Sequence, residues 1–244
     1  MKRLIATAGL LAAALATPAI PVQGVFIIGV PKAAQINVEE VIRKAAAAET
    51  QNKIARSKYA FTQDFKVQTI GVGGTVTGEL HRVSDVSFDS SGKRVDKVTY
   101  FPASTLSGMT VTAEDLRDIA GVQAFVLTSD DLPKYHLDYK GKERLDDLNT
   151  YIFEVKPIQL GAGESYFQGR IWVDDTALQI VKAKGQAVSE AGDQRFPHFD
   201  SYRENIDGKY WFPTYVHADD VLNFRTGSIH MRMTVRFVKY HRAG

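Results

Sequence analysis

The sequence predicts an α+β protein built on one curved antiparallel sheet that carries its helices on a single face. Three observations support this. The last third, Tyr166 to Tyr240, is a series of long alternating segments joined by turns too short for parallel crossovers. Helical patterns occur in only two places, one ahead of the strands and one between them. Pro197 and Pro213 fall inside strand patterns, where a missing N–H argues for edges or bulges and so for an incomplete barrel.

The chain opens with Met1-Lys2-Arg3 and the apolar run Leu4 to Ala16, a charged start followed by a short greasy core. A signal peptide is expected over residues 1–23, with cleavage placed anywhere from 19 to 34, ahead of a single domain over 35–244. Thr17 and Ala19 suit a cut after Ala19, and the apolar tone of Val25 to Val30 admits one after Ala34. The alternative is an uncleaved span from Leu4 to Val30, against which Pro18, Pro21 and Gln23 argue. Cysteine is absent, so neither a disulfide nor a lipidated N-terminal cysteine is expected. An exported, soluble domain held by its core alone follows. The formal charge is +2, and loss of Lys2 and Arg3 takes it to 0, which gives no field for nucleic acid or acidic membrane.

Asn37 with Glu40 three residues on marks a helix start with capping-box spacing, and the helix runs from Val38 to about Lys58. Val38, Val41, Ile42 and Ala45 form its apolar stripe, and Ala45 to Ala48 is a smooth patch suited either to a docked helix or to a mobile lid. Strands are expected over Tyr59–Ile70, Thr75–Phe88 and Lys93–Phe101, divided by the turns Gly71-Val72-Gly73-Gly74 and Asp89-Ser90-Ser91-Gly92. A second helix is expected from Thr112 to Ile119, capped through Asp115 and ended by Gly121. Val122 to Leu127 reads equally as a short strand or as more helix.

Strands resume at Tyr135–Lys140, Lys142–Leu145 and Tyr151–Lys156, with a turn at Asp146 to Asn149. In Tyr166–Asp174, Phe167, Ile171 and Val173 share one face, and Gln168, Arg170, Trp172 and Asp174 share the wet one. Leu178–Val188, Arg195–Ile206, Lys209–Val221 and Ser228–His241 complete about ten strands, with Asp207-Gly208 as a two-residue hairpin turn. In the last, Ile229, Met231, Met233, Val235 and Phe237 point one way and His230, Arg232, Thr234 and Arg236 the other.

Candidate chemistry is sparse. His198 with Asp200, or His217 with Asp219, could share a metal, but no third ligand is signalled. Gly-x-Ser-x-Gly is absent, and the pairs Asp130-Asp131, Asp146-Asp147, Asp174-Asp175 and Asp219-Asp220 fall at expected turns, where aspartate serves the backbone. Gly71 to Gly74 opens no helix and is not a phosphate loop. No catalytic residue, metal or cofactor is expected.

The apolar face remains. A curved sheet of this length must cover one side, and two helices cover only part of it. An acyl chain of about 16 carbons carries on the order of 12 kcal/mol of transfer free energy at ~0.8 kcal/mol per methylene, so it needs shelter to cross water. The expected cavity residues are Phe61, Phe65, Ile171, Val173, Met231, Met233, Val235 and Phe237, the methionines adapting best to an irregular ligand. A closed core without ligand is the alternative.

After Ile36, the order Phe61-Thr62-Gln63, Gly78-Glu79-Leu80, Gly141-Lys142-Glu143, Tyr151 to Pro157, Gly169-Arg170-Ile171-Trp172-Val173-Asp174, Tyr202-Arg203-Glu204 and Gly208 to Thr214 resembles the LolA-type outer-membrane lipoprotein-sorting proteins. The resemblance implies an unclosed β-barrel with a helical lid on its concave face, in the periplasm. Its cavity would receive lipid or lipoprotein acyl chains from a membrane-bound donor and pass them to an acceptor. Where the carrier has an Arg-Pro pair governing closure, this chain has Ser84-Asp85, with Arg82 nearby but facing differently if the register is kept. Two other functions use the same face: a sensor or assembly factor binding a protein segment there, and an enzyme, which requires His198, Asp200 and His217 to converge inside it.

Overall fold

Among the described residues, the alternation in the sequence becomes ten strands of one sheet. The computed structural model describes residues 36–112, 115–116, 127–190, 196–224 and 227–243. Helix α1 (Val38–Arg56) precedes β1 (Tyr59–Ile70), β2 (Val76–Phe88) and β3 (Arg94–Tyr100). After a long connection come β4 (Tyr135–Leu145), β5 (Leu148–Pro157), β6 (Tyr166–Asp174) and β7 (Ile180–Val188). The chain ends with β8 (Phe199–Ile206), β9 (Tyr210–Phe224) and β10 (Gly227–Arg242).

The strand order is β3-β2-β1-β10-β9-β8-β7-β6-β5-β4, and every pairing is antiparallel. Because β1 pairs with β10, the chain leaves its sheet at β3 and re-enters it at the opposite edge, β4. Those two edges do not pair. The result is an unclosed barrel with α1 packed on its concave face, where Val41, Ile42 and Ala45 join the main core.

Local chemistry explains most of the boundaries. Asn37 Oδ1 accepts from the Glu40 amide at 3.1 Å. The expected return bond from Glu40 gives way to an ion pair with Lys44 one turn on, at 2.7 Å. Asp207 and Gly208, at φ 53° and 67°, make the left-handed pair of a tight hairpin. Pro213 sits at a bulge, where the register slips between Tyr202 and Arg203.

Several expectations are corrected. Tyr135–Lys140 and Lys142–Leu145 are one strand, because Gly141, at φ 112°, absorbs a bulge without ending the pairing. The turn at Asp146 to Asn149 tightens to Asp146-Asp147, since Asp146 takes the left-handed φ of 51° and Leu148 and Asn149 already pair. Asp219 and Asp220 lie inside β9, not in a turn. Trp172 and Asp174 are buried despite their place on the outer face. Lys182 lies 4.9 Å over the Trp172 ring, whose Nε1 donates to Glu143, and Asp174 turns back to accept from Ala177 at 2.8 Å.

Thr112 and Asp115 exchange capping bonds of 2.8 and 3.1 Å. The remainder of the expected Thr112–Ile119 helix and the Val122–Leu127 segment, apart from Leu116 and Leu127, lie outside the described residues.

Candidate functional site

All eight residues expected to line a cavity belong to the larger of two core clusters: Phe61 and Phe65 from β1, Ile171 and Val173 from β6, and Met231, Met233, Val235 and Phe237 from β10. None is more than 5% exposed. Two of them, Met231 and Met233, face a void of about 160 Å³. The other six pack into the core away from it. Val67, Leu222 and Phe224 complete the sheet side of the void, and Met109, Val111, Phe196 and Pro197 close it from the connections together with the polar Thr110, Thr112 and Asp115. Val67 was legible as the next inward position after Phe65, but Met109 and Val111 sit in an irregular segment with no period to mark them.

Residues 109–112 form part of that cover, and the segment leading to them is tied to the sheet. Thr105 donates its amide to the Glu79 carbonyl at 2.9 Å, and the Glu79 amide donates to Thr105 Oγ1 at 2.9 Å. The crossing is so close that a Cβ on Gly78 would lie 2.1 Å from the Thr105 carbonyl oxygen. At the other wall, Asp220 holds His198 through the ring at 2.8 Å and the backbone at 2.9 Å, which anchors Pro197 and Phe196 beside it.

The opposite end of the concave face is polar. Glu49, Asn52 and Arg56, spaced three and four apart on α1, all turn toward the sheet. Arg203 on β8 binds Glu49 with both terminal nitrogens, one at 2.7 Å, and both side chains are fully buried. Asn52 donates to Gln179 at 2.8 Å and accepts the Trp211 amide at 3.2 Å. Arg56 lies 4.4 Å from the Phe61 ring centre and 5.0 Å from that of Phe237, and its Nε donates to Tyr240 Oη. Burial lowers the Arg56 pKa, helped by the charges of Arg94 and Arg203, while burial raises that of the Tyr240 phenol. A helix-period reading of apolar residues misses this triad because all three are polar.

Ser84 is buried on the concave face, its Oγ without a partner, and Asp85 faces outward to accept from Thr62 at 2.9 Å. Arg82 opposes Phe65 in the register and shares the face of Ser84, which corrects the expectation that it turns away. Period two makes residues 82 and 84 alike. The three residues an enzyme would need do not converge on the concave face. Asp200 opposes His217 on the outer side and pairs with Lys182 and Lys184, each at 3.4 Å, and His198 is held by Asp220. Among the described residues, no group of three His, Cys, Asp or Glu side chains is placed to hold a metal, and no helix is long and apolar enough to cross a membrane.

No protein-family model and no curated protein matches the sequence. Among solved structures, the chain is similar to the LolA superfamily protein NE2245 from Nitrosomonas europaea, at 13% identity over 86% of this chain and 95% of that one, with a TM-score of 0.39. A DUF1329 family protein from Desulfovibrio piger follows at 19% identity, over 81% and 93%, with a TM-score of 0.37. MucB is similar at 11% identity, over 84% and 93%, with a TM-score of 0.29.

Proposed function

We propose that this protein is an exported, periplasmic carrier whose concave face shelters the acyl chains of a lipid or lipoprotein, within outer-membrane lipoprotein sorting. Residues 1–23 serve as its signal peptide and 35–244 as the carrier domain. Membrane-bound donor and acceptor proteins are its partners in transfer. The observation that carries this reading is the void where Met231 and Met233, the two most adaptable side chains of the inner face, meet a cover built from connections and not from strands. At about 160 Å³ it falls below the ~300–1,000 Å³ of ordinary ligand pockets. Uptake therefore requires the Met109–Val111 cover to shift outward, so that methylenes replace its contacts with Val67, Met231 and Met233. Phe61, Phe65, Ile171, Val173, Val235 and Phe237 are the next residues a longer chain would reach.

Native mass spectrometry of the protein purified from a periplasmic fraction, paired with titration of a fluorescent acyl probe, tests the proposal. Co-purified lipid and saturable probe binding that weakens in Met231→Trp are expected. No lipid and no probe binding would sink it.

A further inference from the structure

Strands β9 and β10 separate at one end of the sheet. Their register runs from the Gly227–Phe224 pair to the Arg236–Tyr215 pair and stops. Beyond that point Tyr210 to Pro213 pair only with β8, and Phe237 to Arg242 only with β1. Two irregularities cause the split. Pro213 has no N–H to donate and sits at the β9 bulge, and Lys239, at φ 60°, sits where β10 slips against β1. Side chains bridge the gap: Tyr240 Oη donates to the Pro213 carbonyl at 2.8 Å, and the Tyr240 ring lies 5.3 Å from that of Phe212.

The split leaves an open slot of about 570 Å³. Glu204 and Asp207 line one side and Arg236, Val238 and Lys239 the other. Asp207 is already engaged, accepting from Tyr59 at 2.6 Å and pairing with Arg242 at 3.5 Å. Arg236 stacks near Tyr215 at 6.0 Å, and among the described residues neither it nor Lys239 has a carboxylate within 4.0 Å. The β10 wall therefore presents two cations that form no close ion pair, although Asp64 opposes Arg236 in the register and Glu204 lies on the facing wall, and the exposed Val238 beside a strand edge that pairs only with β1. An added strand spaced ~4.8 Å away, rising ~3.3 Å per residue in a layer ~10 Å thick, needs roughly 160 Å³ per residue, so the slot holds three to four.

We propose that this slot docks an extended acidic segment of a partner protein, which pairs with the open edge of β10 and sets its carboxylates against Arg236 and Lys239. Backbone pairing supplies the affinity and charge supplies the selectivity. The site is separate from the apolar void and does not depend on acyl binding.

A fluorescein-labelled hexapeptide of alternating valine and glutamate, titrated into the full chain at low salt and read by anisotropy, tests it. Saturable binding is expected, weakened at least about tenfold in the Arg236→Glu/Lys239→Glu double variant. A peptide of equal charge with its central valine replaced by proline should bind about tenfold more weakly as well, because it lacks the pairing N–H. Both changed residues lie at the surface, and an unaltered circular dichroism spectrum with an unchanged urea midpoint confirms a folded variant. Equal binding of an alternating valine–lysine peptide, unchanged binding by the double variant or of the proline peptide, or no binding up to about 1 mM overturns the proposal.

Discussion

At one end of the concave face, Val67, Leu222, Met231 and Met233 meet a loop cover across a void; at the other, Glu49, Asn52 and Arg56 reach Arg203, Gln179 and Tyr240 through hydrogen bonds. The first set of contacts is non-directional, and a ligand methylene can replace a side-chain methylene at small cost. The second set is not exchangeable. A buried carboxylate that loses its guanidinium keeps the desolvation penalty and loses the attraction. The same helix and sheet thus carry one region able to deform and one that holds its geometry.

The largest effect is expected where the pinned end is broken. Arg203→Met should cost about 3–5 kcal/mol in urea unfolding by removing the guanidinium that compensates the buried Glu49 carboxylate. Joining it to Glu49→Leu should restore most of that loss, and failure to do so would mean that Arg203 stabilises the fold through contacts other than Glu49. At the apolar end, Met233→Ala should cost about 2–4 kcal/mol through lost burial and an enlarged cavity, seen as a lower urea midpoint with an unchanged slope. Met231→Trp fills the void instead. It should cost about 1–3 kcal/mol in stability and reduce acyl-probe affinity about tenfold, separating binding from folding.

The smallest effect concerns pH. Burial raises the Asp96 pKa, but the hydrogen bonds from Arg94 and the charges of Arg94 and Arg82 outweigh it, leaving the carboxyl below its ordinary value of 3.8. A carboxyl held low in the folded state adds stability above its unfolded pKa and loses it as pH falls through the folded one. Asp96→Asn should therefore lower stability by less than about 1 kcal/mol at neutral pH, given its partial exposure, and make no difference near about pH 2. Unfolding curves at the two pH values measure it.

Much of the fold was legible because strand alternation is a local signal. Tyr59–Ile70 and Tyr166–Asp174 were readable to the residue, since a dry face forces period two. Gly141 was misread as a break because a glycine that ends a strand and one that bulges within it look the same in sequence. The candidate site was readable in part. Its methionines and phenylalanines share a strand face, but whether each meets a void, a helix or its own core depends on what lies above it.

Most strands, the Asp207-Gly208 turn, the helix cap and the apolar face are set by neighbours a few residues apart. That β1 lies beside β10, that Glu49 meets Arg203, and that β9 and β10 part at Pro213 emerges only when the whole chain has folded. The reason is separation along the chain. Glu49 and Arg203 are 154 residues apart, and no local period encodes a contact made when a sheet curls around its own first helix.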